Sequence, residues 1–547
     1  MARMAEPEYQ FTSAERPVLP GSPYSPAHPA WRRAVYAGVA FVAAIAATLG
    51  NALISTNVAN IAGSLGEYVG AVTILPAIYV AMNATGNLSI IKARAQWGIP
   101  AVTYGALTVY AIAALLQLVF PSFAFALVVR AASGLSAAAL ITVTTFYLFQ
   151  VFPPKLRPLA LVIGLGLVQL GIPLARLFPV EVLAQNHWQN LHLTELVLPL
   201  VMLALMNTFP LPPSDRGKAF EPLDFLTIAL VVPAMLLLCI VLSAGRVYWW
   251  TDTPWLGWIL AAAVPLLATA ILIEANRGKP LLYLEWIGSG VILRFAAVAI
   301  LVRLALAEQT YGSVGLLTSS GLNNEQLRTL FLIVGGAMLL GIAAAVLTLH
   351  PQRLRQQVIV AALSISLGAW FDSHATNLTR PHQLYLSQAL LGFGTTLFIG
   401  PALAFGFLRM LKSGPAYFVT LVVLFSSTQN VGSLAGSALL GSYQVIATRV
   451  HASALAEHLV GADPQVAARI QTGTQLLAGS VSDPAQQVAQ GGALLAQAQA
   501  REATILAFND VFSFVALLAL ATALFVGCLV LRDLWRARRH GSVEVTA

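Results

Sequence analysis

The sequence predicts an all-α polytopic membrane protein, and three observations carry that expectation. Hydrophobic residues make up 58% of the chain and charged residues only 10%, against an apolar share of about 45–50% in ordinary soluble domains. The mean hydropathy is +0.77. The apolar residues also fall into fourteen runs, each near the roughly 20 residues that a helix needs to cross a hydrocarbon core of about 30 Å. Inside lipid a backbone must satisfy its own hydrogen bonds, so each run is expected to be a helix and not an open strand.

The runs lie at 34–57, 69–90, 100–120, 123–149, 158–180 and 192–210, then at 224–244 and 255–275. The last six are 289–318, 327–349, 356–373, 383–409, 416–447 and 505–531. A polar stretch at 211–223, "LPPSDRGKAFEPL", separates the first six from the next two. The expected organisation is therefore a tail (1–33), six spans (34–210), a linker with two further spans (211–288), six more spans (289–531) and a tail (532–547). Residues 448–503 form a long outer loop rich in Ala and Gln, with helical pieces of which two open on Asp-Pro, a sound helix start. In the first tail Pro17, Pro20, Pro23, Pro26 and Pro29 recur every third residue. That spacing would align them on one edge of a polyproline II helix, but the preferred reading is a disordered Pro-rich cytoplasmic tail (1–33) with accidental spacing.

The net charge of +8 reports topology, not nucleic acid. With the N-terminus in the cytoplasm, eighteen Lys/Arg flank spans on the inner side, from Arg32, Arg33, Lys92 and Arg94 through to Arg538 and Arg539. The outer side holds seven: Arg176, Arg246, Arg328, Arg380, Arg449, Arg469 and Arg501. This is the positive-inside pattern, and it places both termini in the cytoplasm. Cys239 and Cys528 both fall within spans, so no disulfide framework is expected.

Several spans carry polar stripes. Thr48, Asn51 and Ser55 share a face, as do Tyr79, Asn83 and Asn87, and so do Ser426, Asn430, Ser433 and Ser437 with Gln429 beside them. Such stripes face either a neighbouring helix or a watery cavity. Gly432 and Gly436 form a GxxxG step suited to close helix packing.

Charges occur inside the spans as well: Arg130, Arg294, Arg303, Glu308 and Asp510. A charge at mid-membrane costs about 2.5–3.5 kcal/mol on insertion scales and normally serves transport or relay. Arg294 is near a span end and can snorkel to the interface. Arg303 and Glu308 are five residues apart, about 140° around a helix, so each should meet something other than its neighbour. Glu308 and Asp510 are the candidate proton-coupling acids. Arg130, Arg303, Asn51, Asn83, Asn87, Gln429 and Asn430 are the candidate substrate-binding residues. The sequence has no GxxxxGK[ST] phosphate loop, no GxSxG and no HExxH, and its nine histidines are not spaced as a zinc site. No enzyme, cofactor or metal is expected.

In its ordered motifs the chain resembles the major facilitator superfamily, specifically the fourteen-span drug:proton antiporter branch of EmrB-like inner-membrane pumps. "NVANIAGSLG" (57–66) resembles the end of that family's first span, and "GNLSIIKARAQWG" (86–98) a degraded form of its basic loop. Arg130 with Gly134 matches the arginine motif of span four. "GLGLVQLGIP" (164–173) is similar to the antiporter motif of span five, with Gly171 and Pro173 as its conformational residues. "TQNVGSLAGSALLG" (428–441) and "ATILAFNDVF" (503–512) resemble spans thirteen and fourteen. The family's first-span aspartate is matched here by Gly50, so its usual proton site does not carry over.

The resemblance implies two pseudo-symmetric six-helix bundles rocking about a midplane site, with spans seven and eight inserted between them. It further implies proton-coupled export of small amphipathic or aromatic, anionic molecules (drugs, aromatic acids, siderophore-like metabolites) across a bacterial inner membrane. A periplasmic adaptor (membrane fusion) protein and an outer-membrane channel would be the partners, met through 448–503. An uptake permease or uniporter of the same fold, or a transport-inactive scaffold, are the alternatives.

Overall fold

The computed structural model describes residues 11–12, 15–16, 21–178, 189–460, 463–477 and 483–539. Among them, fourteen helices are long and apolar enough to cross a membrane. Spans one to six are Ala30–Thr56, Val69–Trp97, Ile99–Val119, Phe123–Val151, Pro154–Leu177 and Asn190–Thr208. Spans seven and eight are Pro222–Tyr248 and Pro254–Ala275. Spans nine to fourteen are Gly290–Ser319, Arg328–Leu347, Leu354–Asp372, Pro381–Ser413, Pro415–Glu457 and Pro484–Arg536. The chain is a multi-pass helical membrane protein. An even number of spans brings residues 30 and 536 to one face (the terminal face) and 448–503 to the other (the loop face).

Spans one to six form one bundle, in which span four packs on spans one, two and three. Spans nine to fourteen form the second, with span twelve seated against ten and eleven, and fourteen against eleven and thirteen. The bundles meet where span two crosses span thirteen and where span five crosses spans ten and twelve. Small residues permit the close crossings, as lipid-buried helices require. A Cβ on Gly134 would lie 2.6 Å from the Tyr79 carbonyl oxygen, and one on Gly436 would lie 2.8 Å from the Ala307 side chain. On span ten Leu332, Leu339, Leu340 and Leu347 form an exposed outer stripe, 51–84% accessible. In a soluble protein that stripe would be a liability; here it is the face for lipid.

The inserted pair is pinned at its terminal-face end. Span seven packs on spans two and thirteen, while span eight packs chiefly on span seven. The Asp224 carboxylate accepts from Lys92 of span two at 2.6 Å and from Arg277 at 2.8 Å, and Arg277 also reaches Glu274 at 2.9 Å. Burial works to lower the Arg277 pKa, but bonds and charges from Asp224 and Glu274 outweigh it and hold it above the ordinary value.

Two spans are broken, each for a visible reason. Span five is helical over Arg157–Val168 and again over Gly171–Leu177. Pro173 has no N–H for the Gln169 carbonyl, and its ring crowds that carbonyl, so the helix parts one turn earlier. Thr48 of span one fills the notch, its hydroxyl donating to the freed Val168 carbonyl at 3.0 Å. A Cβ on Gly171 would strike the Thr48 side chain. Span nine is helical over Gly290–Ala305 and then adopts a π-turn over Glu308–Gly312, a distortion that recurs at functional sites.

The helical pieces expected within 448–503 are present among the described residues, and two are continuous with the spans: Phe418–Glu457 and Pro484–Arg539 extend spans thirteen and fourteen, with Pro464–Leu477 packed alongside the second. One expectation needs correction. The tail is not disordered over 21–29. Tyr24 is buried, its N–H donates to the Pro213 carbonyl, and its carbonyl accepts from Gln150. Pro17 and Pro20 lie outside the described residues.

Candidate functional site: an arginine-lined central cavity

A cavity of about 480 Å³ lies between the two bundles, within the size range usual for small-molecule sites. The three polar stripes converge on it. Thr48, Asn51 and Ser55 come from span one, Tyr79, Asn83 and Asn87 from span two, and Ser426, Gln429, Asn430, Ser433 and Ser437 from span thirteen. Asn83 donates to Asn430 across the bundle interface at 3.3 Å. Every predicted Asn and Gln thus borders one space.

The cavity's charge is one-sided. Among the described residues its lining includes Arg94, Arg176, Arg246 and Arg303 and no acidic side chain. None of the four makes an ion pair among the described residues. Arg303, at mid-span, donates to the Gln429 carbonyl at 3.0 Å. Arg246 sits over the Tyr311 ring at 4.7 Å and donates to its hydroxyl at 3.0 Å. Arg176 donates to Asn324. Arg94 is 3% accessible, lies over the Phe146 ring at 4.8 Å and the Phe418 ring at 5.9 Å, and none of its nitrogens has a hydrogen-bond partner. A buried guanidinium left in that condition suits an anion.

Three arginines counted as flanking charges also take part in the cavity. Arg94, Arg176 and Arg246 lie in the last turns of spans two, five and seven, at their expected ends, but all three turn inward to line the cavity. The asymmetry of the remaining Lys and Arg persists without them.

Arg130 does not border the cavity, contrary to expectation. It is 1% accessible and ion-paired with Glu195 of span six, itself 2% accessible. Its depth in span four, where three helices pack on it, leaves it no route to the open space. The sequence reading missed Glu195. Gly50 of span one lies close by: a Cβ there would be 3.0 Å from the Tyr110 hydroxyl and in ordinary contact, 3.8 Å, with Glu195 Oε1.

Glu308 does not border the cavity either. It lies in the π-turn, 0% accessible, and accepts from the Gln388 side chain of span twelve at 3.1 Å. The same Gln388 nitrogen donates to Asp372 of span eleven at 2.7 Å. No Lys, Arg or His pairs with either carboxylate among the described residues. Asp372 and Gln388 were also missed; Asp372 closes the apolar run "ISLGAWFD" and reads as a helix end. Asp510 stands apart, 42% accessible at its side chain and bonded to His451 at 2.8 Å. Gly171 and Pro173 make the span-five break, while Gly432 and Gly436 pack on Arg303, Leu304 and Ala307 of span nine.

No family model matches the chain, and no curated protein matches it. Among solved structures, the human organic anion transporter MFSD10 (TETRAN) is similar with a TM-score of 0.52 and 15% identity, over 90% of this chain and 100% of that one. The proton:xylose symporter XylE of the major facilitator superfamily gives a TM-score of 0.49 and 13% identity, over 90% of this chain and 95% of that one. Identity this low shows the fold alone. The chain has the major facilitator fold, two six-helix bundles with two inserted helices.

Proposed function

We propose that the protein is a secondary transporter that exports small amphipathic or aromatic anions from the cytoplasm in exchange for protons. One observation carries the substrate class: the central cavity presents four unpaired arginines and no carboxylate. Phe146, Phe149, Phe418 and Phe425 share the lining, which gives an aromatic body apolar surface and, beside the guanidiniums, cation–π partners. The Lys/Arg asymmetry supports a cytoplasmic terminal face, and the resemblance to EmrB-like pumps supports a bacterial inner membrane, outward transport and an adaptor docked on the helical protrusion at 448–503. Proton coupling is assigned to Glu308 with its neighbour Asp372, two carboxylates without a cation that can hold one proton between them. Asp510 with His451 is the second acid site, nearer the loop face.

The test uses the purified full chain in proteoliposomes with an imposed pH gradient and two probes of similar aromatic bulk. Carboxyfluorescein, an anion, should be accumulated against its gradient and collapse on addition of an uncoupler. Rhodamine 6G, a cation, should not be moved. Preference for the cation, or no movement of either, overturns the reading.

A further inference from the structure

A second cleft, of about 170 Å³, opens among spans nine, eleven, twelve and fourteen at the terminal face. None of the residues lining it lines the central cavity. Its walls are apolar, with Phe295, Phe398 and Val526 among them, and its rim carries Arg294, Arg355, Arg409 and Arg532. Each arginine lies within about two turns of the terminal-face end of its span, the level at which lipid headgroups sit.

The rim is under-compensated. Its one acidic residue, Asp533, accepts from Arg355 at 2.6 Å and from Arg532 at 3.1 Å. Arg294 and Arg409 make no ion pair among the described residues; Asp533 attracts Arg409 without bonding to it, and the Arg409 Nε is buried with no hydrogen-bond partner. The guanidiniums of Arg355 and Arg409 both lie over the Phe405 ring, 5.8 and 5.4 Å from its centroid. The repulsion between these like charges is offset only in part by the single Asp533 carboxylate, so a further anion would be favoured beside them.

We propose that this cleft binds an anionic phospholipid, its phosphate held by Arg294, Arg355 and Arg409 and an acyl chain laid along Phe295, Phe398 and Val526. Basic pockets between membrane helices at the headgroup level recognise lipids in this way. A free phosphate would use only the rim. The apolar depth below it has no donor for an anion and fits hydrocarbon, which commits the site to a lipid. The inference is independent of what the central cavity carries.

The experiment measures thermal stability of the detergent-purified full chain with added phosphatidylglycerol, phosphatidylcholine or glycerol phosphate. Phosphatidylglycerol should raise the melting temperature several degrees more than phosphatidylcholine, and glycerol phosphate should have no effect. The Arg294→Gln/Arg409→Gln pair should lose that difference. So should Ala402→Leu, which fills the cleft while leaving its charges, whereas Arg536→Gln, on the same face outside it, should keep it. Equal shifts with the two lipids in the wild type, an equal shift with glycerol phosphate, a difference that survives both cleft variants, or one equally lost in Arg536→Gln, each overturns the proposal. The wild-type lipid comparison decides even where a variant does not fold.

Discussion

Glu308 and Asp372 share one donor: the Gln388 side-chain nitrogen is 3.1 Å from Glu308 Oε1 and 2.7 Å from Asp372 Oδ2. Three spans thus bring two acids to one point in the second bundle, away from the cavity arginines. If this pair is the coupling site, Glu308→Gln should abolish carboxyfluorescein accumulation driven by a pH gradient. Exchange of probe across the membrane with no gradient should survive. Asp372→Asn should act alike, and the double variant should be no worse than either, since acids that share a proton act as a unit. Gradient-driven accumulation at wild-type level in Glu308→Gln sinks the assignment.

Arg130 and Glu195 form a buried pair whose role is expected to be structural. Breaking one side of such a pair leaves an uncompensated charge and costs about 3–5 kcal/mol, while replacing both sides with packed apolar groups is often near neutral. Glu195→Leu and Arg130→Met should each lower the temperature at which the solubilised protein aggregates, and the double variant should recover most of the loss. Probe transport in the double variant should approach wild type. A double variant that is stable yet transport-dead would instead place the pair in the transport cycle.

The fourteen spans were legible because each is a continuous apolar run, and a run of that length has few alternatives in lipid. The polar stripes were legible for the same reason, since their spacing repeats with the helix. Other features depended on partners distant in sequence. Glu195 and Asp372 are single acids at span margins, and only the fold, which sets Glu195 beside Arg130 of span four and Asp372 beside Gln388 of span twelve, shows what they meet. The helical pieces of 448–503 were legible, but their continuity with spans thirteen and fourteen was hidden because the many Gln residues lower the hydropathy there without interrupting the helix. Arg94 was available and overlooked. It lies two residues from Lys92, about 200° around the helix. Lys92 turns to Asp224 of span seven, so Arg94 had to face the opposite side, where the cavity lies.

Arg94 should therefore set anion affinity. A hydrogen bond to a charged group is worth about 1.5–3 kcal/mol, and each 1.4 kcal/mol is about tenfold. Arg94→Gln should raise the KM for carboxyfluorescein roughly 10- to 100-fold. Arg94→Lys keeps the charge but loses the planar fork that stacks on Phe146, so it should fall between the two. An unchanged KM in Arg94→Gln would remove this residue from the binding site.

The last prediction concerns the loop-face end of the cavity. Asn324, between spans nine and ten, donates to the Thr56 carbonyl at 3.4 Å and to the Asn57 side chain at 3.3 Å, and it accepts from Arg176. All three partners belong to the first bundle, so the bundles cannot part at this face while these bonds hold. A neutral hydrogen bond contributes about 0.5–1.5 kcal/mol, which is roughly a 2- to 12-fold bias on an open–closed equilibrium for each one lost. Asn324→Ala should therefore speed labelling of Val58→Cys, in the cavity wall, by a membrane-impermeant maleimide from the loop face. Cys528→Ser provides the background, since Cys239 is buried. The reverse experiment joins Asn57→Cys to Asn324→Cys by oxidation, which should stop transport until a reductant is added. Labelling that stays slow in Asn324→Ala, together with transport that persists in the oxidised pair, would mean that this face does not open.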